Sequence, residues 1–168
     1  MSNGRQTETK LVDGLRRWGF ELHTSVALDE NFKIDAVVVG PPGARGHDFF
    51  PPPIGVQVTT NLGQWAKRIA FVRNASMATS ALAYIELDIG DQLTEVMIRD
   101  VSTALIQLFQ DRSMPRFALV QIDKNGYKIF DLQEKLDQHA RWLGQVIPGE
   151  LQGKIIYWNK QVSWGFAN

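Results

Sequence analysis

The chain has 168 residues, 18 basic and 18 acidic side chains and therefore no formal net charge, with 44% hydrophobic and 21% charged residues. That length suits one domain with a real core, and the neutral balance means that any pull toward nucleic acid or membrane must come from a local patch. With no cysteine, disulfides, thiol catalysis and thiolate metal sites are excluded, and a metal would have to be held by carboxylates, histidines or backbone oxygens, a donor set that favours hard ions such as Mg²⁺.

In chain order, the start "MSNGRQTETK" has no apolar stretch and is not read as a signal peptide. No apolar run reaches the roughly 20 residues of a membrane span, so a soluble, cytoplasmic protein is expected. Leu11, Val12, Leu15 and Trp18 recur at helical spacing, which predicts a helix over 5–19 ended by Gly19. Residues 20–28 alternate and read as a strand, "DEN" (29–31) as a tight turn, and 32–39 as a second strand, together a hairpin. The segment 40–53 holds five of the seven prolines and reads as a loop. A strand over 54–60, a helix over 62–76 and a strand over 81–88 complete an αβββαβ first half. The second half reads as a helix over 92–111, strands over 116–122 and 127–131, a helix over 132–143, and two aromatic strands, "KIIYW" and "QVSWGF". No repeat or linker divides the chain, so 1–168 is expected to be a single domain.

Two buried-looking strands carry polar residues. Strand alternation puts Lys33, Asp35 and Val37 on one face of the second strand and Gly55, Gln57 and Thr59 on one face of the third. Glu8 lies at helical spacing from Leu11, Val12 and Leu15, on the apolar stripe of the first helix. An unpaired buried carboxylate is costly, so Asp35 is either satisfied locally or kept for chemistry. Local satisfaction has ready partners: Lys33, Arg16 or Arg17 for Asp35, the helix dipole for Glu8, and backbone for Gln57. If the polar faces meet instead, Glu8 and Asp35 are candidate ligands for a divalent ion.

This order of elements, with Glu8 on the first helix, Asp35 on the second strand and "VQVT" on the third, resembles the core of the PD-(D/E)XK nuclease superfamily, over residues 5–88. The resemblance implies an α/β restriction-endonuclease-like fold, a mixed sheet flanked by helices, with residues 89–168 as a C-terminal α+β extension that completes the sheet or forms an interface. It also implies Mg²⁺- or Mn²⁺-dependent hydrolysis of DNA phosphodiesters. Asp35 and Glu8 would be metal ligands, with Gln57 at the place of the motif carboxylate and Val58 offering its carbonyl. Thr59 departs from the pattern: it stands where the family has its lysine. Helical geometry turns Lys67 away from Trp65, Ile69 and Val72, so Lys33 is the expected substitute.

Lys67, Arg68 and Arg73 on the helix after the third strand, Arg45 in the proline-rich loop, and Lys160 with aromatic neighbours near the C-terminus are candidate nucleic-acid contacts. His23 and His139 are expected to be structural. Cutting both strands of a duplex suits a homodimer. A second expectation is a catalytically inactive relative of the fold that binds nucleic acid or serves as an assembly subunit, and Thr59 favours it. A third is an α/β domain unrelated to nucleases.

Overall fold

The computed structural model describes residues 3–43 and 52–146. Arg45, Lys160 and the two aromatic C-terminal strands lie outside the described residues.

The chain runs α1 (Asn3–Arg17), β1 (Glu21–His23), α2 (Val26–Phe32), β2 (Ala36–Gly40), β3 (Ile54–Thr59), α3 (Trp65–Ala75), β4 (Ala81–Leu87), α4 (Glu95–Gln110), β5 (Phe117–Asp123), β6 (Gly126–Asp131) and α5 (Leu132–Val146). The six strands form one mixed sheet in the order β1-β2-β3-β4-β5-β6. The β1–β2 and β2–β3 pairs are antiparallel, β3–β4 and β4–β5 parallel, and β5–β6 antiparallel. Parallel neighbours need a crossover, and α3 and α4 provide them. Among the described residues no helix is long and apolar enough to cross a membrane.

Two apolar layers sandwich the sheet. On one face Leu11 and Leu15 of α1 and Ile98, Val101 and Leu105 of α4 pack on Val38, Val56, Ile85 and Val120. Gly14 lets the two helices close up, because a Cβ there would lie 2.7 Å from Ile98 Cγ2. On the other face Ile69 and Val72 of α3 and Leu132 and Leu136 of α5 cover Leu82, Tyr84 and Leu119.

One element differs from the sequence expectation. The strand expected over 20–28 stops at His23, and the residues read as its end and as a tight turn form α2. β1 and β2 are antiparallel neighbours, as a hairpin requires, but a helix joins them. Ser25 caps α2 by accepting from the Leu28 N–H at 3.1 Å. At the other end Lys33 takes a left-handed conformation, φ 58°, and Ile34 N–H returns to the Leu28 carbonyl at 3.1 Å. No residue of α2 is fully buried, so its apolar stripe shrinks to Leu28 and Phe32, half-buried against the second layer. The period of that pair is too short a signal to outweigh the alternation before it.

Candidate functional site

Asp35 lies between the end of α2 and the start of β2. Its backbone N–H donates to the Val56 carbonyl at 2.8 Å, and its Oδ2 accepts from the Val58 N–H at 2.7 Å. The side chain therefore takes the ladder bond that a further β2 residue would have made, and it does so in a buried position, 9% exposed. Burial, with the like charges of Glu8 and Asp29, pushes the carboxyl up to about 7, against the lowering effects of the Val58 N–H and the Lys67 charge. The half-buried Glu8 on α1 is raised in the same sense, first by burial, then by Asp29, with Arg5 opposing.

The register pairs Ala36 with Val56 across β2–β3, and because the Asp35 N–H also reaches the Val56 carbonyl, the regular ladder ends there, short of Gln57. Gln57 is in turn the partner of Tyr84 on β4, and Thr59 that of Glu86. Within a strand the N–H and C=O of one residue point to the same side, so the Val58 carbonyl faces the β2 edge where Asp35 sits. Gln57 Oε1 is buried and, among the described residues, has no hydrogen-bond partner.

Lys33 is not where strand alternation put it. β2 begins three residues later, and Lys33 is the exposed, left-handed cap of α2. Lys67 is exposed on α3, as its helical position requires, yet its charge is the one that acts on Asp35. Of the two lysines weighed as substitutes for the motif cation, the electrostatics favour Lys67.

Arg68 is engaged by a residue that the sequence reading passed over. Glu86 is fully buried on β4, and its carboxylate accepts from Arg68 Nε at 2.9 Å and Nη2 at 2.8 Å, from Gln121 Nε2 at 3.2 Å and from the Gly63 N–H at 3.3 Å. A buried carboxylate with four donors, one of them a bidentate guanidinium, is fully compensated. The pair fastens the first turns of α3 to β4 and withdraws Arg68 from the surface, where its side chain is 15% exposed. Lys67 and Arg73 remain the exposed cations of that helix. Beside Glu86, Thr59 is buried and its hydroxyl accepts from the Asn61 N–H at 3.0 Å, which shapes the turn into α3.

His139 stacks on Trp65 at 4.8 Å between ring centroids, and burial together with the Arg68 charge lowers its pKa. His23 is exposed beside Glu21 at 3.7 Å. Among the described residues no three His, Asp or Glu side chains converge into a set able to hold a metal. The donors near Asp35 are instead its own carboxylate and the Val58 carbonyl, with Glu8 close enough to act through charge. Those are oxygens of the kind that Mg²⁺ takes, in combination with water.

Asp29 is the further charged group of the site that sequence reading missed. The sequence alone places it in a tight turn, whereas α2 carries it to where it acts on both Glu8 and Asp35. Its signal was the "SVALD" run, a capping serine followed by an acid in the first turn.

Comparison with known proteins found no matching family model, no similar curated protein and no similar solved structure.

Proposed function

We propose that the protein is a divalent-metal-dependent nuclease of the PD-(D/E)XK type that hydrolyses DNA phosphodiesters. The observation that carries this reading is Asp35: a buried carboxylate, raised to about 7 by burial and by two neighbouring acids, with one backbone N–H for compensation. A fold keeps such a group only against a cost, and a cation drawn to it removes that cost. The order α1, three antiparallel strands with α2 between the first two, α3 and a strand parallel to the third is consistent with the same reading.

Asp35, Glu8 and the Val58 carbonyl would hold Mg²⁺ or Mn²⁺, which when bound polarises the scissile phosphate and acidifies the attacking water. Asp35 takes the negative end of that charge balance, and its fixed bond to Val58 orients it. Lys67 supplies the cationic charge that Thr59 does not, from α3 instead of β3, and steadies negative charge developing on the phosphate. Lys67 and Arg73 offer charge to the DNA backbone.

A specific observation favours a second reading. Thr59 is tied into the β3–α3 turn, and its neighbour Glu86 neutralises Arg68, so two positions near the proposed centre serve the fold. A non-catalytic nucleic-acid-binding subunit is consistent with that. The test is cleavage of supercoiled, linear, single-stranded and branched DNA with Mg²⁺ or Mn²⁺, beside Asp35→Ala. Metal-dependent cutting that the variant lacks supports the nuclease. Salt-sensitive binding without cutting supports the second reading, and neither activity overturns both.

A further inference from the structure

Two buried polar atoms on neighbouring strands lack partners in a complementary way. The Tyr84 side chain is fully buried beneath Phe71, with ring centroids 5.6 Å apart, and among the described residues its hydroxyl makes no hydrogen bond. Gln57, its register partner on the same face, is half-buried, and its Oε1 is buried and equally unpartnered. The register places Gln57 beside Tyr84 on neighbouring strands. Leaving a buried donor or acceptor unmade is costly, and each such group calls for an explanation.

The inventory of donors decides which end of the amide belongs inside. With the oxygen inward, one bridging water gives the Tyr84 O–H an acceptor and the buried amide oxygen a donor, since the two make no direct bond. With the NH₂ inward, the two N–H donors share the phenol oxygen as their one acceptor and the phenolic O–H has none, so two of the three donors stay unsatisfied. Oxygen inward is the better-satisfied arrangement, and it turns the nitrogen end toward the open side of the half-buried residue.

We infer that Tyr84 is a positioning residue that holds the Gln57 amide oxygen inward, so that Gln57 presents its NH₂ to the open side as a hydrogen-bond donor for an anionic substrate oxygen. Gln57 then serves the site as a phosphate contact, and the cation rests on Asp35, Glu8 and backbone. This rests on the nuclease reading for the identity of the anion, a phosphodiester oxygen, but the orientation of the amide does not depend on it.

The test uses the full chain and two independent readouts. NMR follows the Gln57 side-chain amide in the metal-free protein, for the wild type, Tyr84→Phe and Trp65→Phe. The Trp65 variant is the control, because the Trp65 Nε1 is also buried without a partner among the described residues. Electron paramagnetic resonance measures Mn²⁺ affinity, and fluorescence anisotropy of a short DNA duplex in EDTA measures DNA affinity, for the wild type and Gln57→Met. The inference expects Tyr84→Phe, and not Trp65→Phe, to move the amide resonances. It expects Gln57→Met to weaken DNA binding about tenfold or more, as loss of a hydrogen bond to a charged oxygen does, while Mn²⁺ affinity stays within about twofold. An unmoved amide in Tyr84→Phe overturns it, as does an amide moved by Trp65→Phe in place of Tyr84→Phe. Loss of Mn²⁺ affinity with DNA binding intact overturns it too, because the amide would then be a cation ligand. If the wild type takes up no Mn²⁺ while Gln57→Met still loses DNA binding, the nuclease reading fails and the inference stands.

Discussion

Two buried carboxylates, one at the head of β2 and one on β4, are treated in opposite ways. Glu86 is buried on β4 with four donors, including both arms of Arg68. Asp35, at the head of β2, has the Val58 N–H alone among the described residues, and two further acids act on it. The chain can compensate a buried acid when the fold needs one, since it does so two strands away. The exposed cation nearest in effect to Asp35, Lys67, is left on the surface of α3. Burial by itself therefore says little about purpose; the donor count around the charge separates the acid that holds α3 in place from the acid that is kept available.

The contrast makes opposite predictions for two isosteric substitutions. Glu86→Gln should destabilise the protein by roughly 3–5 kcal/mol, because it leaves a buried guanidinium without its counter-charge; chemical denaturation measures it. Asp35→Asn should do the reverse. The folded-state pKa of Asp35 lies above its unfolded value, so the folded protein holds a proton that the unfolded chain has released. Stability contributed by this group is thus full below about pH 4, falls as pH rises toward about 7, and stays lost above it. A rise from 3.8 to about 7 corresponds to an upper bound of roughly 4 kcal/mol. In metal-free buffer at pH 8, Asp35→Asn should therefore melt higher than the wild type, and the difference should shrink toward pH 4. A lower melting temperature at pH 8 would break the comparison. The smallest effect belongs to Thr59→Val, which removes the bond to the Asn61 N–H and should cost about 1 kcal/mol.

What the sequence revealed follows where one-dimensional signals are strong. The core strands alternate or run apolar, α4 carries a full apolar stripe behind the Thr94 cap, and β5–β6 turn at "KNG", so these elements were legible. Alternation also puts Gln57 and Thr59 on one face, the face of their partners Tyr84 and Glu86. Lys33 falls in the wrong element because the expected strand starts at 32, four residues before β2, and one missed helix, α2, shifts both Lys33 and Asp29. Glu86 was open to the same argument that singled out Asp35, as an acid inside an otherwise apolar strand. Its partner Arg68, eighteen residues before it, becomes its partner only once α3 packs on the sheet, and periodicity carries no record of that contact. The buried Ser102 hydroxyl in α4, also without a partner among the described residues, has no physical account here.

The most direct test of the claim that Asp35 is held for a cation is a carbon-13 NMR titration of its carboxyl, with and without Mg²⁺. The account predicts a midpoint of about 7 without metal, moved to lower pH when Mg²⁺ is added, as the ion displaces the proton. A midpoint near the ordinary aspartate value, or one that Mg²⁺ leaves unchanged, would contradict it.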